Sequence, residues 1–370
     1  MTADRAFKDF TRIVVKIGTN TLSNGGQIDA QYIGEMAAQV VKLHKEGKQI
    51  LLVTSGAIGM GAGELGLKEK VTEIPMRQAC ASIGQPLLMH QYKKAFEPHG
   101  LSIAQVLLTT DVLSHRQAYL NLRTSIETLL SLGVVPIFNE NDTVSTEEIG
   151  NAFGDNDKLS ALVASKVDAD LLIILSDIDA LYDKDPKKSP DAKKISVVPQ
   201  ITEEILKGAG SAGSVFSTGG MKTKIRAVLI AEKAGCTTVL AHGREKEVLN
   251  RILNGEDLGT VFLAKSPWPA RTRWILASTP RGRLTIDEGA LEALRNHKSL
   301  LPKGLMQVEG EFAKGSVVLV NGRVKLVTKH SSGELLQMRG LNSDEIQTLM
   351  GKKDVIARPE DMVFLDETML

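Results

Sequence analysis

The stretch VVPIFNENDTVSTEEIGNAFGDNDKLSALVA, residues 134–164, passes from an apolar run through acids and amides into an amphipathic segment. We interpret it as a buried strand, a long polar loop and a helix whose first turn carries the residues at 155–157. Two polar clusters, at 139–142 and 155–157, flank the loop. Because loops at strand ends carry ligand sites in open α/β sheets, the paired clusters predict a binding loop.

Helix capping is the alternative explanation for the second cluster. Asp and Asn at the start of a helix accept hydrogen bonds from backbone N–H groups that have no partner within the helix. For Asp155 or Asn156 alone, capping and ligand binding explain the residue equally well. The repetition of the polar pattern on both sides of the loop favours a ligand site.

Apolar strands alternate with amphipathic helices through the first two thirds of the chain. This alternation predicts an α/β fold with an open, mostly parallel sheet sandwiched by helices. The helix after the first strand has Asp29 as its predicted cap and Gly47 as its predicted stop. The predicted strands lie at residues 12–18, 49–57, 102–109, 134–140, 170–182, 237–243 and 261–264.

A change in composition divides the chain. Its 370 residues exceed the size at which one hydrophobic core keeps growing, so two domains are expected. The segment KSPWPARTRW, residues 265–274, combines proline, basic residues and both tryptophans. Short β-rich segments with turn glycines follow it and predict a small β-barrel-like domain. We therefore predict a first domain at 1–264, a linker at 265–277 and a second domain at 278–370.

Charge and cysteine content exclude several classes of protein. A net charge of +1 argues against a nucleic-acid footprint spread over the whole chain. The two cysteines, Cys80 and Cys236, lie in apolar or helical contexts and indicate core thiols in a reducing compartment. The first residues lack the apolar core of a signal peptide, and no run is long enough to span a membrane. A cytoplasmic protein without a membrane partner is expected.

Two strand ends that contain glycine carry residues that can bind a phosphate group. Lys16 lies within an apolar strand just before Gly18, where a lysine suits a phosphate group. A sheet-edge lysine that reaches solvent is the alternative. The segment VTSGAIGMGAG, residues 53–63, presents small residues and the Ser55 hydroxyl at the predicted start of a helix, which attracts an anion. Tight helix packing would also explain several of these glycines.

A third glycine-rich segment is GAGSAGSVFSTGGMKTK, residues 208–224. We interpret it as a flap that closes on a helix beginning near Gly220, with Lys224 on the first turns holding a phosphoryl group. A solvated basic face of Lys222, Lys224 and Arg226 is the alternative. The GxxxxGK[ST] pattern and the protein-kinase catalytic-loop signature are absent, which disfavours both classes of phosphotransferase.

Several motifs together resemble the glutamate 5-kinases of the amino acid kinase family. The C-terminal segments IDEGALEAL (286–294) and KSLLPKGLMQVEGEFAKGSVV (298–318) are similar to the PUA domain of many bacterial members. The motifs of the first domain are VVKIGTN (14–20), LLVTSGAIGMG (51–61), PIFNENDTV (136–144), FGDNDKLSALVA (153–164), ILSDIDALYDKDP (174–186) and STGGMKTK (217–224).

The resemblance implies a phosphotransferase with a carboxyl group as acceptor. ATP would phosphorylate the side-chain carboxylate of L-glutamate to give L-glutamyl 5-phosphate, the first step of proline biosynthesis. Mg²⁺ would accompany the nucleotide, and no protein ligand for a metal is assigned. Lys16 and Lys224 would flank the transferred phosphoryl group, and Asp157 would orient the two lysines.

The family's binding roles carry over onto matching positions. Ser55, Asp142 and Asn156 would hold glutamate, with Asp142 facing the α-ammonium group while Ser55 and Asn156 bond carboxylates. The residues that would contact the nucleotide are Lys16, Ser176, Asp177, Thr218, Gly219, Gly220, Met221, Lys222, Thr223 and Lys224.

Partners and alternatives complete the expectations. The resemblance implies feedback inhibition by proline, in or overlapping the glutamate site, and a homo-oligomer, either dimer or tetramer.

One alternative is another member of the family, acting on N-acetylglutamate, aspartate, carbamate or a nucleoside monophosphate. The other is an RNA-binding protein that uses the PUA-like domain. The near-neutral charge argues against RNA binding, as does the segment VKLVTKHSSGEL (324–335), which lacks the Gly-Leu pair expected there.

Overall fold

The chain forms two compact units with separate hydrophobic cores. Met1–Thr109 and Leu120–Pro267 form the first unit, and Thr110–Tyr119 and Trp268–Leu370 the second. No helix in the described part of the chain is long and apolar enough to cross a lipid bilayer. The computed structural model describes residues 5–24, 27–69, 71–109, 112, 115–144, 156–184, 186, 189–210, 220–351 and 355–365.

The first unit consists of strands and helices that alternate along the chain. Its strands are β1 (Arg12–Ile17), β2 (Ser23–Asn24), β3 (Gln27–Ile28), β4 (Gln49–Val53), β5 (Ile103–Leu108), β6 (Val135–Glu140), β7 (Leu171–Ser176), β8 (Leu181–Tyr182), β9 (Lys194–Ile195), β10 (Val197–Val198), β11 (Thr237–His242) and β12 (Thr260–Phe262). Its helices are α1 (Thr19–Leu22), α2 (Ala30–Lys45), α3 (Ala57–Glu64), α4 (Ile74–Phe96), α5 (Arg116–Ser131, of which 116–119 belong to the second unit), α6 (Asp157–Lys166), α7 (Glu203–Gly210), α8 (Met221–Lys233) and α9 (Val248–Leu253). A short 3-10 turn at Glu97–His99 follows α4.

Eight strands form one sheet in the order β10-β12-β11-β7-β1-β4-β6-β5. Every pairing in this sheet is parallel except that of β11 with β12. All residues of β6 and β7 are buried, as expected for central strands covered by helices on both faces. The predicted open, mostly parallel sheet is confirmed.

Local sequence signals set the ends of two helices. The Asp29 side chain accepts a hydrogen bond from Tyr32 N at the start of α2, and Gly47, with φ 83°, follows its end, as predicted. The helix of the opening stretch, α6, begins later than predicted, at Asp157, and Asn156 takes the N-cap position. Asp155 lies outside the described residues.

The second unit contains a five-stranded sheet in the order β14-β13-β15-β16-β17. Residues 270–277 of the predicted linker form a helix, while the predicted domain bounds stay a prediction. The strands are β13 (Arg283–Ile286), β14 (Leu305–Glu309), β15 (Val317–Val320), β16 (Val324–Val327) and β17 (Met362–Phe364); the helices are α10 (Ala270–Ala277), α11 (Glu288–Arg295), α12 (Ser332–Met338) and α13 (Ser343–Met350), with 3-10 turns at Pro302–Gly304 and Pro359–Asp361.

Helices α3 and α4 pack with their backbones in contact. A Cβ atom on Gly61 would lie 1.9 Å from the carbonyl oxygen of Cys80, and one on Gly84 would lie 1.8 Å from that of Ala57. Because α3 directly follows the Thr54–Gly56 turn at the end of β4, this contact fixes that turn relative to α4. Tight helix packing, the alternative explanation given for the glycines of residues 53–63, therefore accounts for Gly61.

We predict that Gly61→Ala lowers the free energy of unfolding by about 1–3 kcal/mol, because the new methyl group meets backbone atoms that cannot move aside. Gly63→Ala is the matched control, since a Cβ there meets nothing within 4 Å and alanine favours an exposed helix by roughly 0.5–1 kcal/mol. Urea unfolding of both variants measures the difference. Equal midpoints would contradict the packing argument.

Candidate active site

The carboxyl ends of five neighbouring strands meet at one edge of the sheet. These strands are β11, β7, β1, β4 and β6, which run parallel to one another. The strand order reverses at β1, because β4 pairs with one side of β1 and the later strand β7 with the other. Ligands of open α/β sheets bind at such a switch point, outside the carboxyl ends of the strands.

A buried cluster of three charges lies at this switch point. Lys16 Nζ is 2.9 Å from Asp157 Oδ1, and Lys224 Nζ is 3.3 Å from Asp157 Oδ2. The three side chains are 1%, 3% and 0% exposed for Lys16, Lys224 and Asp157 respectively. They come from β1, α8 and α6, so a single carboxylate joins the central strand to two helices.

The charges of the cluster keep Asp157 ionised. Burial alone would raise the pKa of Asp157, but the ammonium groups of Lys16 and Lys224 and a hydrogen bond from Thr223 outweigh it and lower that pKa below its ordinary value. Lys16 and Lys224 thus bring two buried ammonium groups to the carboxyl ends of the strands. An anion placed beside the lysines would be strongly favoured.

The structure decides between the alternatives for the lysines. Lys16 lies on a central strand and is fully buried, so it is not a sheet-edge lysine that reaches solvent. On α8, Lys222 and Arg226 are exposed, whereas Lys224 is buried on Asp157. The basic-face interpretation therefore holds for Lys222 and Arg226 and fails for Lys224.

The start of α8 surrounds Lys224. Gly220 has φ 92° at the N-cap, a left-handed conformation that suits glycine, and a Cβ there would lie 3.5 Å from Lys224 Nζ. Thr223 Oγ1 donates to Asp157 Oδ2 at 3.1 Å and lies 2.7 Å from the Gly220 carbonyl oxygen. Met221 is buried, so its backbone N–H is the group it can offer to a ligand. Thr218 and Gly219 lie outside the described residues.

A chain of buried amides lies beside the charge cluster. Asn156 Nδ2 donates to the Thr54 carbonyl oxygen at 2.5 Å and to Asn139 Oδ1 at 2.7 Å. Among the described residues the Asn156 side chain makes no capping hydrogen bond. Its two amide hydrogens are thus engaged, and it has none to donate to a carboxylate. In this arrangement the oxygen Oδ1 is the atom left for a ligand, and the expected contact between Asn156 and glutamate stays a prediction.

Ser55 follows β4, the neighbour of β1, and Asp142 follows β6, the neighbour of β4. Ser55 is 7% exposed, and its hydroxyl has no hydrogen-bond partner within the described ranges. Asp142 is half-buried in the turn after β6. The Ser55 turn is held by Thr54, whose hydroxyl lies 2.8 Å from the Tyr92 hydroxyl of α4.

Ser176 and Asp177 lie together at the end of β7. Ser176 Oγ donates to Asp177 Oδ1 at 3.0 Å, and Asn20 Nδ2 donates to Asp177 Oδ2 at 3.0 Å. Partial burial raises the pKa of Asp177, but these hydrogen bonds lower it below the ordinary value. The side chain of Asp177 is exposed, so an incoming ligand can reach it.

Comparisons with known proteins identify the family of each unit. A model of the amino acid kinase family matches residues 11–242. The chain belongs to the amino acid kinase family. A second model, of the PUA domain, matches residues 282–357 in the second unit of this amino acid kinase.

Named relatives match nearly the whole chain. A glutamate 5-kinase of Methanosarcina mazei is 44% identical, covering 98% of this chain and 98% of that protein. A glutamate 5-kinase of Methanosarcina barkeri is 48% identical over 93% of each chain. Among solved structures, a carbamate kinase from Giardia lamblia bound to AMP-PNP is 18% identical, covers 70% of this chain and 100% of that one, and gives a TM-score of 0.49.

Several polar residues of the site were missed by the sequence interpretation. Gln85 and Tyr92 on α4 and Thr54 after β4 make the hydrogen bonds that hold the turn and the amide chain. Asn139 belongs to a polar cluster that was recognised, but no role was assigned to it. Helical spacing gave a signal for Gln85, because it falls on the buried face of α4 with Ala81 and Leu88.

We predict that Asp157→Asn lowers the free energy of unfolding at pH 7 by roughly 3–5 kcal/mol, because two buried ammonium groups lose their counter-charge. A carboxyl group with a lowered pKa stabilises the fold above its unfolded value of about 4, and that stability is lost as the pH falls through the folded value. The difference in the free energy of unfolding between wild type and variant should therefore disappear in acid. Urea midpoints from pH 7 to pH 3 measure it, and a constant gap would contradict the assignment.

Proposed function

We propose that this protein transfers the γ-phosphoryl group of ATP to the side-chain carboxylate of L-glutamate, giving L-glutamyl 5-phosphate and ADP in the first step of proline biosynthesis. The observation that carries the proposal is the buried pair of ammonium groups, Lys16 and Lys224, held by Asp157 at the switch point of the sheet. The names of the relatives, which cover nearly the whole chain, support the choice of glutamate as substrate.

Charge is the main obstacle to this reaction. A carboxylate attacks a phosphoryl group that is itself anionic, so catalysis must position both groups and neutralise charge. Lys16 and Lys224 would flank the transferred phosphoryl group from β1 and α8, and the attraction between their ammonium groups and the phosphoryl group would grow as negative charge gathers between the substrates. The glutamate side chain is ionised at neutral pH, so no general base is needed.

Asp157 has a positioning role in this proposal. Its lowered pKa keeps it an anion, and each of its oxygens faces one lysine. It would hold the two ammonium groups at a fixed separation before substrates bind, so little reorganisation is required during transfer. The carboxylate itself does not need to touch either substrate.

The nucleotide would bind on the β7 side of β1. Ser176, Asp177 and the segment from Thr218 to Lys224 would contact it, with backbone N–H groups at the start of α8 facing phosphate oxygens. Mg²⁺ commonly combines phosphate oxygens, waters and one or two carboxylates, and the exposed Asp177 fits as one such carboxylate. When bound, the ion would neutralise part of the phosphate charge. The described residues contain no cluster of three or more potential protein ligands.

Glutamate would bind on the β4 and β6 side. Asp142 would pair with the α-ammonium group, and the Ser55 hydroxyl would donate to a carboxylate. Asn156 would contribute through Oδ1, which can accept a hydrogen bond from the ammonium group, because its amide hydrogens are engaged by Thr54 and Asn139. An N-acetylated substrate has no ammonium group for these two acceptors, which disfavours acetylglutamate.

A hydroxamate assay tests the substrate and the reaction type together, because hydroxylamine traps an acyl phosphate. We expect ATP-dependent hydroxamate with L-glutamate and little with N-acetylglutamate or aspartate in parallel reactions. Product with either of the other acceptors and none with L-glutamate would reject the proposal. We also propose that proline binds in or over the glutamate site, and competition between proline and L-glutamate in the same assay tests that placement.

We predict that Lys16→Met and Lys224→Met each lower kcat about a thousandfold or more, since each removes one of the charges that face the phosphoryl group. Methionine preserves side-chain bulk, and the remaining lysine still pairs with Asp157, so the fold should persist. Arg226→Met is the control, because Arg226 is an exposed cation on the same helix. Near-normal turnover in either lysine variant would contradict the mechanism.

A further inference from the structure

Two buried hydrogen-bond donors near the proposed glutamate site have no acceptor. One is the Ser55 hydroxyl, and the other is Nε2 of Gln85 on α4. Gln85 is 8% exposed, and no atom in the described part of the chain accepts a hydrogen bond from its Nε2. Buried polar groups are almost always paired, so two such donors in one region indicate an acceptor that binds there.

The orientation of the Gln85 amide follows from a backbone group. Glu140 N–H, which can only donate, donates to Asn139 Oδ1 at 3.0 Å. Asn139 therefore turns its nitrogen toward Gln85, and Asn139 Nδ2 donates to Gln85 Oε1 at 2.8 Å. The atom of Gln85 without a partner must then be the nitrogen, which makes it a donor.

Gln85 is held next to the turn that carries Ser55. The preceding residue, Gly84, would place a Cβ only 1.8 Å from the carbonyl oxygen of Ala57, two residues after Ser55. On its other side Gln85 bonds Asn139 at the end of β6. The α3–α4 contact and the amide chain thus bring Gln85 and Ser55 to the same edge of the sheet.

We propose that Gln85 Nε2 donates a hydrogen bond to the α-carboxylate of bound L-glutamate and helps to determine substrate specificity. This inference rests on the proposed function. The reacting carboxylate must lie at Lys16 and Lys224, whereas two hydrogen bonds, through Asn139, separate Gln85 from Asn156, the neighbour of Asp157. Gln85 therefore faces the end of the substrate that does not react, and it takes the donor role that the engaged Asn156 amide cannot fill.

The variant Gln85→Glu isolates the unpaired donor. It keeps the oxygen that accepts from Asn139 and replaces Nε2 by an oxygen that repels a carboxylate. We expect KM for L-glutamate to rise roughly ten- to a hundredfold, with kcat and KM for ATP unchanged, because a hydrogen bond to a charged group is lost. Gln85→Met, which adds no buried charge, should raise the same KM if the first variant does not fold.

Gln39→Glu is the matched control. Gln39 is also buried, at 6% exposure, and its Oε1 accepts a hydrogen bond from Leu249 N within the core of the first unit. The control carries the same chemical change at a buried position outside the site, where Gln39 Nε2 donates to the Glu35 carbonyl oxygen at 3.4 Å. Its KM for L-glutamate should equal that of wild type.

A substrate swap identifies the carboxylate that Gln85 contacts. The α-amide of L-glutamate should be a poorer substrate than L-glutamate for the wild type. The ratio of its KM to the KM of L-glutamate should be smaller in Gln85→Glu than in the wild type, because the amide N–H can donate to the introduced carboxylate. An unchanged ratio of the two KM values would overturn the proposal, as would wild-type KM for L-glutamate in both Gln85 variants.

The outcomes separate this inference from the proposed function. A wild type that forms no hydroxamate with L-glutamate rejects the function itself. An active wild type whose Gln85 variants keep their KM for L-glutamate rejects the inference alone. A fall in kcat with no change in that KM would indicate that Gln85 only supports the fold, and would also reject it.

Discussion

One buried carboxylate is the constraint on which the site depends. Two ammonium groups can be buried within a few ångströms of each other only if an anion lies between them, and Asp157 supplies it. The three residues are distant in sequence and come from β1, α6 and α8, so the cluster also fixes how the two helices pack on the central strand. Because this contact holds two ammonium groups at the carboxyl ends of the strands, the same contact that stabilises the fold prepares a place for an anion.

In the parallel sheet, β1 separates the two halves of the site. Strands β4 and β6 and the α3–α4 pair lie on one side, where the amide chain and the turn at Ser55 are found. Strand β7 and the start of α8 lie on the other side, with Asp177 and Gly220. An acceptor and a phosphoryl donor bound on opposite sides would meet at Lys16 and Lys224. The reversal of strand order, which places β1 between the two halves, thus gives the proposed transfer its geometry.

The sequence predicts the sheet and the buried lysines because both follow from local patterns. Apolar runs that end in small polar residues mark the strands, and a lysine within such a run needs a buried partner. The direction of hydrogen bonds does not follow from such patterns. The sequence suggests that the Asn156 amide donates to a carboxylate of the substrate. In the structure its amide hydrogens are donated to Thr54 and Asn139. Two segments that the sequence interpretation emphasised, the loop at 145–155 and the flap at 211–219, lie outside the described residues.

Adjacent residues at the start of α6 serve separate networks. Asp157 points to the lysines, and Asn156 points to Thr54 and Asn139. A neutral amide chain can bind a substrate without altering the charge balance at the lysines, whereas a further buried cation there would repel the two ammonium groups. Gln85 meets that requirement, since it offers a donor but no charge. Selection of the substrate and activation of the phosphoryl group can therefore be adjusted independently, although Asn156 and Asp157, which take part in the two networks, are adjacent at the start of α6.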